Sequence, residues 1–216
     1  MILFELTGTE NHPVYQALEV ENGERQHQFL TSVVRAALDM NKVFLSQAII
    51  KSLNFHAITC LHTNAGEYRP CEVEVGSHRP PQYFRVQALM DDFVNEVNRV
   101  WDRMDPVVLA SFVLWRLNWI HPFINGNGRT ARATAYFVLC LKSGGLIRGA
   151  PILPELLKRD RDDYVAALQA VDAALPVGLH LGPVHSLVAK LLDEQIRSAP
   201  VDDELPVLID MEPAEA

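Results

Sequence analysis

Apolar residues recur every three or four positions along most of the chain, which predicts a mostly α-helical protein. The clearest stripe lies in residues 86–104, where Leu89, Phe93 and Val97 share one helix face. Similar spacing predicts further helices over residues 26–39, 46–62, 106–119, 129–141, 160–172 and 185–197. Ser46 and Asp105 stand where N-cap residues are expected, at the starts of two of these helices.

Residues 71–75 follow a different pattern, because apolar and acidic side chains alternate there. This alternation is typical of a half-exposed β-strand. Pro80 and Pro81 follow shortly afterwards, and proline stops the extension of a sheet because it has no backbone N–H. The pattern therefore predicts one short strand in an otherwise helical chain.

The junction between two apolar helices, residues 120–132, contains the most concentrated chemistry of the chain. Its sequence is Ile-His-Pro-Phe-Ile-Asn-Gly-Asn-Gly-Arg-Thr-Ala-Arg. The second helix is expected to begin near Gly128, and a helix start carries unpaired N–H groups and a partial positive charge. Arg129 and Arg132 are three positions apart and share a face of its first turn. Together these groups predict a phosphate-binding site.

His121 stands directly before this site, and Pro122 favours a non-helical backbone for it. An imidazole titrates near neutral pH and can accept a proton from an attacking hydroxyl. A base beside a bound phosphate points to phosphoryl or nucleotidyl transfer. Such catalysis depends mainly on positioning and on the neutralisation of charge.

Composition and charge narrow the class of protein. The chain has 216 residues, enough for one domain with a sizeable core, and 49% of them are apolar. A net charge of −8 disfavours unspecific nucleic-acid binding. No apolar run is long enough to span a bilayer. The three cysteines are odd in number and have no C-x-x-C spacing, which favours reduced thiols in a cytoplasmic protein; secretion as an effector stays open.

The junction resembles the signature of the Fic family, H-x-F-x-[D/E]-G-N-G-R-x-x-R, and departs from it only at Asn125. The resemblance extends over roughly residues 46–175. The Gly-Glu-Tyr-Arg run at 66–69 is similar to a G-x-Y-R segment of the family, and residues 160–168 are similar to its D-R-x-x-Y-x-x-A-L stretch. Residues 71–81 resemble the family's β-hairpin flap. The resemblance thus implies a mostly α Fic-like helical bundle with a small β-hairpin flap.

The resemblance also implies an activity, the transfer of AMP from ATP to a Ser, Thr or Tyr hydroxyl of a target protein (AMPylation). His121 would be the general base and Phe123 a core anchor. Phosphates would be held by residues of the helix start: Gly126, Asn127, Gly128, Arg129 and Arg132. An extended target segment would add to the exposed edge of the flap, formed by Cys71, Glu72, Val73, Glu74 and Val75.

Two further expectations concern the metal and regulation. Family members hold Mg²⁺ through an acidic residue where this chain has Asn125, which keeps a ligating oxygen but lacks the charge. We therefore expect weakened binding of Mg²⁺ or Mn²⁺ at Asn125. Many family members also carry an inhibitory [S/T]-x-x-x-E-[G/N] helix, and the Glu21-Asn22 pair matches its end, with Ala17 in place of Ser or Thr. Glu21 would then pair with Arg132.

The expected organisation has four parts. Residues 1–45 form an N-terminal helical segment with the inhibitory helix, residues 46–175 the Fic-like core, residues 176–197 a C-terminal helix, and residues 198–216 an acidic, disordered tail. The expected partners are a nucleotide and a hydroxyl-bearing protein, without nucleic acid or membrane, and a homo-oligomer is compatible with the sequence. Removal of AMP, transfer of another phosphate-containing group, and a nucleotide-binding module without catalysis remain alternatives.

Overall fold

The computed structural model of the chain describes residues 2–76 and 78–200. Most of these residues are helical, as their periodicity predicts. The α-helices are α1 Leu3–Thr7, α2 Pro13–Asp39, α3 Gln47–Ile58, α4 Val86–Val100, α5 Pro106–Ile120, α6 Asn127–Lys142, α7 Leu153–Arg159, α8 Arg161–Ala174 and α9 Gly182–Arg197, with a 3-10 turn at Tyr83–Arg85 before α4.

Helices α5 and α6 form the centre of the fold and pack against each other. Both are apolar around most of their circumference, and nearly every residue of α6 from Thr130 to Leu141 is buried. Helices α2 and α3 pack against α6, while α4, α8 and α9 pack against α5. The loop that joins α5 to α6 is therefore anchored at both ends in the core.

The helix starts confirm two predicted caps. Ser46 accepts a hydrogen bond from the N–H of Ile49, and Asp105 accepts from the N–H groups of Val107 and Val108. Phe123, predicted as a core anchor, has no exposed surface. The periodicity did not delimit α1 or α7, because helices of five and seven residues are too short for an apolar stripe to repeat. It also placed the start of the second helix at residue 26, whereas α2 begins at Pro13, within the predicted N-terminal helical segment.

The prediction that residues 71–81 form a β-hairpin flap is wrong, because the structure shows no strands there among the described residues. The structure describes this segment except for Ser77, and among the described residues the only strand-like pairing is an isolated antiparallel bridge between Val75 and His78. The ends of the flap do not pair with each other, because the carbonyls of Cys71 and Pro81 both accept hydrogen bonds from Arg69. Consecutive prolines also remove the N–H groups that a ladder would need. The flap is a loop closed at its base by a guanidinium.

Residues 201–216, most of the acidic tail predicted at 198–216, lie outside the described residues. Across residues 2–76 and 78–200, none of the helices has the length and apolar character required to cross a membrane.

Candidate active site

An open cleft of about 360 Å³ lies at the junction of α5 and α6, beside the flap. It brings together His121 and all the predicted phosphate-binding residues, and it adds Ile124. From the predicted docking residues it includes Glu74 and Val75, whereas the other three lie outside the lining. The lining residues are Glu74, Val75, His121, Ile124, Asn125, Gly126, Asn127, Gly128, Arg129 and Arg132.

His121 ends α5 in a left-handed conformation, with φ 51° and ψ 59°. Its N–H donates to the carbonyl of Leu117 at 3.0 Å, which closes the last turn of the helix. Non-glycine residues adopt this conformation only at a cost, and they do so where the surroundings enforce it. The reversal turns the chain out of the helix and leaves the imidazole at the wall of the cleft.

The imidazole of His121 is held in one tautomer. Its Nδ1 lies 3.4 Å from the carbonyl oxygen of Asn118, which can only accept, so Nδ1 carries the proton and Nε2 keeps its lone pair. The pKa of His121 is lowered to about 4, chiefly by burial and less by His78 and Arg69, while the Asn118 carbonyl opposes the shift. The ring is therefore neutral at pH 7 and able to accept a proton.

The start of α6 supplies free hydrogen-bond donors. Gly126 precedes the helix at φ 75°, and its carbonyl accepts from the N–H of Thr130 at 2.9 Å. Within the described part of the chain, the N–H groups of Asn127, Gly128 and Arg129 have no acceptor. These three donors lie in the lining of the cleft at the positive end of the helix dipole, where an anion is favoured.

The side chain of Asn127 is not available to bind an anion, because both of its amide atoms are bonded to the main chain of Phe123. Its amide oxygen accepts from the N–H of Phe123 at 2.9 Å, and its amide nitrogen donates to the Phe123 carbonyl at 2.8 Å. Asn127 is almost fully buried, so both bonds are shielded from water. The Asn127 side chain therefore shapes the loop, and only its main-chain N–H can contribute to the cleft.

Arg132 is the second arginine in the lining of the cleft. No carboxylate of the described residues lies within 4 Å of its guanidinium, which lies 6.0 Å from the centre of the Tyr164 ring. Burial lowers its pKa, although an arginine keeps its charge at any physiological pH. A half-buried guanidinium of this kind attracts an anion into the cleft.

Tyr164 connects this arginine to the histidine. Its buried hydroxyl accepts from the side-chain amide of Asn118 at 2.7 Å, and the main-chain carbonyl of Asn118 is the group that faces His121. Tyr164 lies on α8, which packs against α5. The sequence motif at 160–168 thus supports the cleft from below without lining it.

Arg129 is already engaged by other elements. Its guanidinium donates to the carbonyl of Ala57 at 3.0 Å and to the amide oxygen of Asn125 at 3.3 Å. It also forms an ion pair with Glu19 of α2 at 3.1 Å. Arg129 thus joins α2 and α3 to the start of α6, and its charge is partly neutralised.

The predicted pairing of Glu21 with Arg132 does not occur in the structure. Glu21 is exposed and pairs along its own helix with Arg25 at 2.8 Å. The carboxylate that reaches the motif from α2 is Glu19, two residues earlier. The buried positions of α2 explain the difference: Tyr15, Asn22 and Gln26 face the core, and Glu19 lies on the same face at helical spacing. That spacing was the sequence signal for Glu19.

The residues around Asn125 do not fit a divalent cation in this arrangement. The amide oxygen of Asn125 faces two donors, the N–H of Gly126 at 2.6 Å and the guanidinium of Arg129, and its amide nitrogen donates to Glu10 at 3.0 Å. Residues 2–76 and 78–200 contain no group of three or more His, Cys, Asp or Glu that could hold a metal. The structure therefore gives Asn125 a different role, as the contact point for the N-terminal segment.

A family comparison agrees with this geometry. Residues 44–139 match the family model described as the Fic/DOC family. The matched segment is less than half of the chain, and it is similar to a Fic domain. A curated relative from Drosophila willistoni, named protein adenylyltransferase Fic, is 41% identical over 68 residues, which is 31% of this chain and 14% of the relative. Protein adenylyltransferase fic-1 from Caenorhabditis briggsae is 37% identical over 83 residues, 37% of this chain and 16% of the relative.

Solved structures share the fold over a longer stretch. A Fic domain-containing signaling protein from Bacteroides thetaiotaomicron has a TM-score of 0.68 and 24% identity, with 91% of this chain and 76% of that chain covered. Residues 134–508 of Fic-1 from C. elegans give a TM-score of 0.70 at 22% identity, with 90% and 55% covered. These similarities show that the Fic fold includes the helices on both sides of the matched segment.

Proposed function

We propose that the cleft binds ATP through its phosphates and transfers AMP to a Ser, Thr or Tyr hydroxyl of a target protein. The observation that carries this proposal is the meeting of three features in one cleft. They are a neutral imidazole, a guanidinium that has no carboxylate partner among the described residues, and a helix start whose first N–H groups have no acceptor there. The name adenylyltransferase in relatives supports the same chemistry, although the matched segment spans only about a seventh of their length.

The phosphates occupy the start of α6. The N–H groups of Asn127, Gly128 and Arg129 donate to phosphate oxygens, and Arg132 adds a charge-assisted, bidentate contact. Arg129 contributes once Glu19 is displaced from it. Because Arg132 has no carboxylate partner within the described residues, it can bind a phosphate without first breaking an ion pair.

His121 then acts as the general base. The hydroxyl oxygen of the target attacks the α-phosphorus, its proton moves to Nε2 of His121, and pyrophosphate leaves with the electrons of the broken phosphoanhydride bond. The negative charge of the bound phosphates raises the pKa of the imidazole from its depressed value, which brings the base closer to its working range. No step is assigned to Mg²⁺ or Mn²⁺, because the residues around Asn125 do not fit a divalent cation.

Incubation with α-labelled ATP and a cell lysate tests the proposal, with label on protein as the readout. His121→Ala should lower transfer by roughly a hundred- to ten-thousand-fold while ATP affinity stays nearly unchanged, since the imidazole acts on the hydroxyl. His27→Ala is the matched control, because His27 is exposed on α2, away from the cleft lining. Equal labelling by His121→Ala and wild type would refute the assignment of the base.

The same experiment separates the alternatives. Release of AMP from pre-labelled protein, without new labelling, would indicate removal of the modification. ATP binding without either reaction would indicate a nucleotide-binding module. The presence of a neutral His121 beside the phosphate site favours a catalytic role over simple binding, because binding alone does not require a base.

A further inference from the structure

The guanidinium of Arg69 lies between the motif loop and the flap, and its side chain has no exposed surface. Its Nε donates to the main-chain carbonyl of His121 at 2.8 Å. One terminal nitrogen donates to the carbonyl of Cys71 at 3.0 Å, and the other donates to the carbonyl of Pro81. The main-chain N–H of Arg69 donates to the carbonyl of Pro122 at 2.8 Å.

The charge of Arg69 is balanced mainly by these carbonyl dipoles. Its one carboxylate neighbour among the described residues is Glu72, which is 3.4 Å away and more than half exposed. Burial of a charge is costly unless every donor is satisfied, so a residue that served only packing would be apolar. The rigid fork of a guanidinium reaches three carbonyls at once, which the single ammonium of a lysine does not reproduce.

We infer that Arg69 is a positioning residue for the proposed transfer, because one guanidinium aligns the main chain of His121 with both ends of the flap. The inference deepens the proposed function and rests on it. Arg69 lies outside the cleft lining, so it acts through His121 and the flap.

The position of these contacts explains their effect on the base. The turn at His121 has a left-handed backbone and sets the direction of the imidazole. Arg69 donates hydrogen bonds to the carbonyls of His121 and Pro122, so it fixes this turn at two successive carbonyls. The flap residues Glu74 and Val75 line the same cleft as the imidazole. A target segment that contacts the flap therefore meets the imidazole at a separation that Arg69 sets.

The test compares Arg69→Lys and Arg69→Gln with wild type. We expect both to lower transfer by about a hundredfold, the typical cost of a misplacement of about 1 Å, while ATP affinity stays nearly unchanged. The reason is that the phosphate donors belong to α6, which Arg69 does not contact. Arg159→Gln is the matched control, since Arg159 also loses several hydrogen bonds but lies on the surface of α7. A folded Arg69→Lys protein with wild-type transfer would overturn the inference.

An NMR titration of His121 supplies a readout that needs no enzymatic activity. The charge of Arg69 lowers the pKa of His121, so Arg69→Gln should raise that pKa and Arg69→Lys should change it less. An unchanged pKa in Arg69→Gln would show that the guanidinium does not hold the base. If wild type labels no protein, the proposed function fails, and this titration still decides whether Arg69 controls His121.

If neither variant folds, hydrogen exchange in the wild-type protein tests the inference. The Nε–H of Arg69 should then exchange slowly with solvent, because it is buried and bonded to the His121 carbonyl. The exposed guanidinium of Arg159 serves as the reference for rapid exchange. Equally rapid exchange at Arg69 would overturn the inference.

Discussion

Substitution of Gly126 by alanine tests how tightly the motif loop is packed on α3. Gly126 has φ 75°, and a Cβ atom there would lie 2.5 Å from Cγ2 of Ile58 and 3.1 Å from the amide nitrogen of Asn54. Two penalties follow: the left-handed conformation costs about 1–2 kcal/mol for a residue with a side chain, and overpacking costs about 1–3 kcal/mol. Gly126→Ala should therefore reduce the free energy of unfolding markedly.

Comparison with Gly144→Ala separates the overpacking penalty from the backbone penalty. Gly144 follows the other end of α6 with φ 73°, and a Cβ atom there would meet nothing within 4 Å. The backbone strain and the entropy gain of the unfolded chain are shared by both substitutions and cancel in the comparison. Gly126→Ala should thus lose about 1–3 kcal/mol more than Gly144→Ala, measured by urea denaturation. Equal losses would show that α3 does not press against the loop.

Three further predictions concern the chemistry of the cleft. Arg132→Ala should weaken ATP binding by about ten- to a hundredfold in calorimetry, since a charge-assisted hydrogen bond contributes roughly 1.5–3 kcal/mol; unchanged affinity would remove Arg132 from the phosphate site. Glu19→Gln should raise ATP affinity by about two- to fivefold, because it frees Arg129 from a partly exposed ion pair, while Glu21→Gln, on the solvent side of the same helix, should not. The fall of kcat/KM at acid pH, which reports the ATP-free protein, should be centred below pH 6.5. The reason is that the depressed pKa keeps His121 unprotonated until the pH approaches 4. A fall centred at or above pH 6.5 would contradict the role of His121 as the base.

The pKa of His121 also links the site to stability. The group has a lower pKa in the folded protein than in the unfolded chain, so the unfolded state binds more protons between about pH 6.5 and 4. The contribution of His121 to stability is complete above this window and is lost as the pH falls through it. Arg129 and Arg132 add no comparable dependence, since arginines keep their charge over this range.

Much of the secondary structure of this protein can be predicted from its sequence, because it depends on interactions between residues that are close in the chain. Helix stripes such as that of α4, caps such as Ser46 and Asp105, and the helix start after Gly126 depend on interactions within a few residues, and the structure confirms them. The spacing of His121 and Arg132 around that start likewise predicted that an imidazole and a guanidinium would meet there, and both line the same cleft.

The tertiary structure decided which remote groups meet. Alternation at 71–75 predicted a strand, but a strand needs a partner, and Arg69 takes the carbonyls at both ends of the flap. Glu21 matched a pattern of letters, whereas the packing of α2 on α3 and α6 turned Glu19 toward Arg129. Asn125 was expected to face a metal and instead donates to Glu10. Helix periodicity specifies which face is buried, but contacts between charges far apart in the chain depend on how the helices pack, and that information is not local.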